Sequence, residues 1–205
     1  MFRPRVLETV SSRVSLGFEV RQLGREIYVT TGGLTQSGGL ISQLWKNTLK
    51  KVARNFELKN KRWLILGLAT GTVAKLISQT YPPTQITGVE LDPEMIRVGR
   101  KYFDLDKIPH LKIILGDALD YLKTSKTKFD IVLVDLYVAD QLPEFVYTPT
   151  FIKAVKRIGG LAIYNHLFYN SQNKFLAQRL TQHLAGVYSQ TQLIRELSNL
   201  LVVCS

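Results

Sequence analysis

The stretch that decides the fold is Trp63–Thr72, WLILGLATGT. An apolar run ends at Gly67, and a second glycine, Gly71, follows four positions later. Taken alone, the stretch fits either a buried strand that ends in an ordinary turn or a strand that brings its backbone close to a ligand. The segments on either side of it decide between the two interpretations.

From residue 61 onward, short apolar runs alternate with segments long enough to form helices. The runs are WLILG, QITGVEL, LKIILGD, FDIVLVD and GLAIYNH, and the predicted helices occupy residues 72–80, 93–103, 117–124, 144–157 and 171–185. Runs that are apolar throughout are typical of parallel strands covered on both faces. The tail after residue 186 predicts an antiparallel hairpin at the sheet edge. We therefore predict an α/β fold with a doubly wound, mostly parallel sheet of seven strands.

The first part of the chain has a different pattern. Residues 5–30 alternate apolar and polar side chains and predict an antiparallel meander of two or three strands, the first within residues 14–20. Glycines on both sides of LTQS, residues 34–37, predict a loop. An apolar stripe over residues 40–55 predicts a helix. We expect a small N-terminal β region over residues 1–39 and a ligand-binding domain over residues 40–205.

Composition narrows the class of protein. The chain has 205 residues, a net charge of +11 and one cysteine, which excludes a disulfide framework within the chain. No apolar run approaches the 18 residues that would suggest a transmembrane helix, and we expect a cytoplasmic protein without a metal. The positive charge leaves an anionic partner such as nucleic acid open, although a solvated basic surface is favoured.

Four strand ends should meet at one edge of the predicted sheet: Gly67, Glu90, Asp117 and Asp135. An acid that begins a helix is often only a cap, so each carboxylate alone has an ordinary explanation. Glu90, however, lies nineteen positions after Gly71, the spacing at which a carboxylate accepts hydrogen bonds from the ribose of an adenosine ligand. Asp117 could accept from the adenine amino group. S-adenosylmethionine fits this arrangement, because the glycine turn lacks the full pattern of a pyrophosphate site.

The segments ILGLATGT, VELDPEMIRVGRKYF, LKIILGDALDYL and FDIVLVDLYVADQLPEFVYTPTFIKAV make the chain recognisable. It resembles the Rossmann-like class I S-adenosylmethionine-dependent methyltransferase fold and, more closely, the spermidine synthase (polyamine aminopropyltransferase) family. The resemblance implies S-adenosylmethionine or its decarboxylated form as ligand, methylthioadenosine or S-adenosylhomocysteine as product, and a homodimer. It implies a ligand-binding set of Gln36, Gly67, Leu68, Ala69, Gly71, Glu90, Leu91, Asp117 and Ala118.

For catalysis, the resemblance implies that Asp135 contacts the reacting amine. Tyr137, Asp140 and Tyr147 lie on the segment after the fourth strand and are predicted to contact the substrate, with loop packing as their alternative role. The chain departs from the family at the acceptor side. Val138 stands where the family has a second aspartate, and residues 37–49, SGGLISQLWKNTL, contain no acid, tyrosine or histidine.

Three functions therefore stay open. The first is a transferase that moves an aminopropyl (or methyl) group to an amine. The second is a methyltransferase for a small or anionic substrate. The third is a non-catalytic module that binds a nucleoside or nucleic acid.

Overall fold

A computed structural model describes residues 3–15, 17–138 and 141–205. Within these ranges the chain forms eleven strands and six α-helices. The strands are β1 (Arg5–Val10), β2 (Phe18–Leu23), β3 (Glu26–Thr31), β4 (Leu34–Gly38), β5 (Arg62–Leu66), β6 (Gln85–Glu90), β7 (Leu111–Leu115), β8 (Phe129–Val134), β9 (Gly159–Leu167), β10 (Thr191–Glu196) and β11 (Asn199–Cys204). The helices are α1 (Gly39–Val52), α2 (Thr72–Thr80), α3 (Pro93–Tyr102), α4 (Ala118–Thr124), α5 (Pro149–Ile158) and α6 (Ser171–Ala185).

The larger sheet has seven strands in the order β10-β11-β9-β8-β5-β6-β7. The five strands from β9 to β7 in this order are parallel, and β11 and β10 pair antiparallel at the other edge. This confirms the predicted doubly wound sheet and its terminal hairpin. The chain runs outward from β5 through β6 to β7, then returns to β8 on the other side of β5. The carboxyl ends of β5 and β8 therefore flank the point where the strand order reverses, which is where ligands bind in such sheets.

Strand β5 shows why the apolar runs form a two-sided sheet. Successive side chains point to opposite faces. Leu64 and Leu66 pack with α4, α5 and α6, whereas Trp63 and Ile65 pack with α1, α2 and α3. All four are at most 1% exposed. A strand that is buried on both faces needs apolar residues at every position, which is the pattern read from the sequence.

The N-terminal sheet corrects two details of the sequence prediction. It has four antiparallel strands in chain order, and residues 34–37, predicted as loop, belong to β4. The flanking glycines allow the turn before β4 and the sharp exit after it, while the residues between them pair with β3. β2 begins at Phe18 rather than Val14, because Gly17 adopts a φ of 92° and breaks the extended run. The apolar face of this sheet packs on Met95 and Val98 of α3.

Helix starts follow the expected chemistry. Asp92 precedes Pro93 and caps α3, since its side chain accepts a hydrogen bond from the Glu94 amide at 2.9 Å. Among the described helices, none combines the length and the apolar character needed to cross a bilayer.

Candidate functional site

A cavity of about 350 Å³ opens at the carboxyl ends of β5 to β9. Residues from β4, α1 and the β10–β11 turn also line it. The structure brings most of the predicted site residues together here, namely Gln36, Gly67, Ala69, Glu90, Leu91, Asp117, Ala118, Asp135 and Tyr137.

The glycine turn after β5 forms the floor of the cavity. Gly67 has a φ of 90°, and a Cβ at this position would collide with the carbonyl oxygen of Asp135. Its amide and that of Leu68 both donate to the carbonyl of Val89 at 3.0 Å. Only glycine combines this backbone conformation with so close an approach between the β5 and β8 chain ends.

Glu90 holds the turn from the next strand. Its Oε2 accepts from the Ala69 amide at 2.7 Å, and its Oε1 accepts from the Asp92 amide at 2.9 Å. Burial raises the pKa of Glu90, while the two backbone hydrogen bonds oppose that shift. Each carboxylate oxygen keeps a second lone pair, so Glu90 can also accept hydrogen bonds from vicinal hydroxyls of a ligand.

Asp117 begins α4. Its Oδ1 accepts from the amides of Leu119 at 2.7 Å and Asp120 at 3.1 Å, which is ordinary capping. Oδ2 makes no hydrogen bond within the described part of the chain. Asp117 and Ala118 line the cavity on the β7 side. The capping role accounts for the orientation of the carboxylate, and Oδ2 remains available to accept from a ligand amino group.

Asp135 lies at the carboxyl end of β8 and is held by two neutral donors. Trp45 Nε1 donates to Oδ2 at 2.9 Å, and Asn165 Nδ2 donates to Oδ1 at 2.7 Å. Asn199 in turn donates to Asn165 Oδ1 at 2.8 Å, which orients the Asn165 amide. Burial raises the pKa of Asp135, and the hydrogen bonds from Asn165 and Trp45 lower it in part. The carboxylate is thus fixed in position and has raised proton affinity.

Trp45, Asn165 and Asn199 were missed as site residues by sequence reasoning. Trp45 was assigned only to the apolar stripe of its helix, and it is indeed fully buried. A buried indole N–H usually finds an acceptor, so the tryptophan did carry a signal. Its acceptor, however, is 90 positions away in the chain, and no local pattern identifies it.

The three predicted substrate residues differ in placement. Tyr137 lines the cavity, and its hydroxyl donates to the Asn165 carbonyl at 3.2 Å. Burial, and then the nearby charge of Asp135, raises the pKa of Tyr137 well above its usual range. Tyr147 does not line the cavity: it is 2% exposed, and its hydroxyl contacts His166 Nε2 at 2.8 Å. Asp140 lies outside the described residues.

Leu68 and Gly71 support the turn from behind and do not line the cavity. The Leu68 side chain lies over Gly88 of β6, where a Cβ would come within 2.6 Å of Leu68 Cδ1. Gly71 begins α2 with a φ of 89°, and a Cβ there would collide with the side chain of Leu105. Both residues thus determine the path of the loop, and a ligand contact by either of them stays a prediction.

The N-terminal sheet closes one side of the cavity through β4. The Gly38 amide donates to Thr72 Oγ1 at 2.9 Å, and the Thr70 amide donates to Ser37 Oγ at 3.4 Å. These contacts join the end of β4 to the glycine turn. They place Gln36 on the cavity wall, beside the floor that Gly67 and Ala69 provide.

The charge of the cavity is opposite to that of the whole chain. Among the described residues that line it, the charged side chains are the three carboxylates Glu90, Asp117 and Asp135, and none is a lysine, arginine or histidine. The chain as a whole carries +11. Low-dielectric walls strengthen the field of these carboxylates, so the cavity favours a cationic ligand. No group of three or more His, Cys, Asp or Glu side chains in the described ranges is arranged to hold a metal.

The fold and site define a class I methyltransferase-like protein, and comparison with known proteins narrows the class. Residues 42–192 match the family described as "Spermine/spermidine synthase domain". The chain therefore belongs to the spermine/spermidine synthase domain family, as the sequence resemblance predicted.

Individual relatives agree with this placement. The chain is similar to a polyamine aminopropyltransferase from Vibrio vulnificus, with 27% identity over 139 residues that cover 65% of this chain and 44% of the relative. A second relative, from Bifidobacterium longum, is a "probable polyamine aminopropyl transferase" of which 28% is covered. The chain thus spans less than half the length of these curated relatives.

Two solved structures share the fold. A probable spermidine synthase from Corynebacterium glutamicum superposes with a TM-score of 0.80 at 20% identity, covering 98% of this chain and 80% of that one. Human methyltransferase-like protein 13 in complex with SAH superposes with a TM-score of 0.66 at 22% identity, covering 78% and 81%. At 20% and 22% sequence identity, the similarity to these two structures establishes the fold alone.

Proposed function

We propose that this chain is a transferase that binds decarboxylated S-adenosylmethionine and transfers its aminopropyl group to an amine. The observation that carries the proposal is the cavity at the strand switch point, whose described charged lining consists of carboxylates alone. A sulfonium donor and an ammonium acceptor are both cations before reaction. A site that concentrates negative charge in a basic protein suits such a pair.

In this proposal the nucleoside half of the donor lies over β5, β6 and β7. Glu90 accepts hydrogen bonds from the ribose hydroxyls, and Gln36 contacts the nucleoside from β4. Asp117 and Ala118 contact the adenine at the start of α4. The backbone at Gly67 and Ala69, which line the floor of the cavity, lies under the sulfonium arm.

The donor supplies a carbon that its sulfonium already activates for displacement. The protein therefore has to align the acceptor nitrogen, exclude water and accept the proton that the nitrogen loses. We assign the alignment of the nitrogen and the acceptance of its proton to Asp135; the support is that Trp45 and Asn165 each donate a hydrogen bond to one of its oxygens and orient the carboxylate. Its raised proton affinity suits a group that orients an ammonium and then accepts its proton.

A methyltransferase acting on a small molecule is the second candidate. It is favoured by the similarity to the human methyltransferase-like structure solved with SAH. An anionic acceptor or nucleic acid fits the cavity poorly, since its described lining has no cationic side chain. The basic charge of the chain then belongs to its outer surface.

Transfer assays with each donor would test the proposal. The purified chain is incubated with a panel of amines and either decarboxylated S-adenosylmethionine or S-adenosylmethionine, and the thioether product is measured. We expect methylthioadenosine from the decarboxylated donor. Asp135→Asn should abolish turnover but still bind methylthioadenosine in calorimetry. Release of S-adenosylhomocysteine alone would establish the second candidate, and binding without turnover by the unmodified chain would contradict both.

Quaternary structure and domain boundaries are part of the same proposal. By family resemblance we propose a homodimer, and we keep the prediction of a cytoplasmic protein. We also propose that the N-terminal unit ends near residue 39, where β4 passes into α1. Light scattering on the purified chain measures the oligomeric state directly.

A further inference from the structure

The cavity has two chemically different halves. The half over β5, β6 and β7 holds Glu90 and Asp117. The other half lies over β8, β9 and β11, beside α1. It is lined by polar side chains that hydrogen-bond within the chain, namely Asp135, Tyr137, Asn165, Ser198 and Asn199, and by apolar side chains. Its apolar lining includes Leu40, Ile41, Leu44, Phe145, Leu167 and Leu197.

Two of these apolar side chains are unusually exposed for their size. Leu40 is 56% exposed and Leu197 is 55% exposed, on two different elements that face the same cavity. Isolated exposed leucines are ordinary on a protein surface. Here the two leucines line the same cavity as the partly buried Asp135, which is typical of a site that binds an apolar body with one polar group.

Asp135 is the single described carboxylate in this half. Neighbouring strands are roughly 4.8 Å apart. Glu90, on β6, is two strands from β8, so it is on the order of 10 Å from the Asp135 end of the sheet. Asp117 follows the end of β7, three strands from β8, and is roughly 14 Å away. Both lie beneath the nucleoside half. A second ammonium group in the apolar half would therefore be desolvated without a described carboxylate partner.

We propose that the acceptor is an alkyl or arylalkyl monoamine, with its one amino group at Asp135 and its apolar body against α1 and the β10–β11 turn. This inference rests on the proposed transferase function. In the reaction, the acceptor nitrogen forms a bond to the donor's aminopropyl carbon, and the carbon–sulfur bond breaks with its electron pair staying on sulfur. The proton lost by the nitrogen goes to Asp135.

A matched pair of acceptors tests the substrate class. Hexylamine and 1,6-diaminohexane share one carbon chain and differ by the distal amino group. With decarboxylated S-adenosylmethionine as donor, we expect kcat/KM for hexylamine to be at least about tenfold higher, because the distal ammonium loses its hydration without gaining a partner. Equal or better use of the diamine would overturn the inference.

Leu197→Asp supplies the missing partner and Leu197→Asn is its matched control. Leu197 adopts a φ of 53°, a conformation that aspartate and asparagine tolerate better than leucine, so both variants should fold. We expect the ratio of diamine use to hexylamine use to be at least about fivefold higher in Leu197→Asp than in Leu197→Asn, because both variants lose the same apolar contact and only aspartate adds an ion-pair partner. Equal ratios in the two variants would count against the inference.

Two further experiments distinguish a failure of the monoamine inference from a failure of the proposed transferase function. Asp140→Asn checks the neighbouring acid outside the described residues: a selective loss of diamine use in this variant would overturn the inference. Calorimetry with each amine in the presence of methylthioadenosine gives a readout without turnover. Selective binding of hexylamine that Asp135→Asn abolishes, with no transfer to any amine, would refute the transferase function and still support the monoamine site. Absence of that selectivity would overturn the site.

Discussion

Gly67→Ala tests the central feature of the site, the close approach between the glycine turn and the β8 chain end. The new Cβ would meet the Asp135 carbonyl oxygen, which is backbone and cannot rotate away. Forcing an extra carbon into a packed site costs about 1–3 kcal/mol. A φ of 90° adds about 1–2 kcal/mol for a residue with a Cβ. We expect a loss of about 2–5 kcal/mol in unfolding free energy.

Urea denaturation and thermal melts would measure this loss. For a chain of this size each kcal/mol lowers Tm by about 2–4 °C, so a decrease of roughly 4–20 °C is expected. Gly116→Ala is the matched control, since Gly116 lines the same cavity but a Cβ there meets no atom within 4 Å. Its unfolding free energy should change by less than about 1 kcal/mol. Equal stabilities of the two variants would show that the turn does not approach β8 as described.

Three further predictions concern single side chains. Trp45→Phe removes a hydrogen bond that lowers the pKa of Asp135, so that pKa should rise. We expect kcat/KM to fall about tenfold or more, and the acidic limb of the pH–rate profile to move to higher pH. An unchanged profile would contradict this. Glu90→Gln should weaken methylthioadenosine binding about 10- to 100-fold in calorimetry, because a carboxamide cannot accept from all of its partners. Hydrogen bonds from Lys101 and two other α3 side chains lower the pKa of Glu8 from 4.5 to about 2. The stabilisation from Glu8 is therefore present above pH 4.5 and is lost as the pH falls toward 2. The difference in unfolding free energy between the unmodified chain and Glu8→Gln should shrink over that range. Denaturation at several pH values would measure it.

The three site carboxylates show what a local sequence pattern can predict and what it cannot. Glu90, Asp117 and Asp135 were identified because each follows an apolar run, and parallel strands bring such positions to one edge. The hydrogen-bond partners of these carboxylates fall into two groups. Those of Asp117, and the Asp92 amide at Glu90, are backbone amides a few positions away, which a local pattern implies, whereas the Ala69 amide reaches Glu90 from the turn after β5. The side-chain donors to Asp135 come from α1 and β9, distant in sequence and recognisable only once the chain is folded.

The N-terminal region shows where a local sequence pattern fails. Glycines near residues 34–37 predicted a loop, because glycine is unfavourable inside regular elements. The structure instead pairs these residues with β3, and Gly38 lies at the strand's end, where a Cβ would crowd the β3 backbone. The local preference of glycine carries no information about whether a neighbouring strand is available for pairing. Cross-strand hydrogen bonds decided the conformation of this segment.

The sequence by itself determined the strand and helix alternation, the parallel sheet and the edge at which the carboxylates meet, since periodicity and turn residues are properties of consecutive positions. Only the tertiary structure decided which side chains face the cavity. It buried Tyr147 against His166, turned Leu68 toward Gly88, and joined Trp45 to Asp135. These contacts depend on how distant elements pack, and packing is a property of the assembled core rather than of any segment.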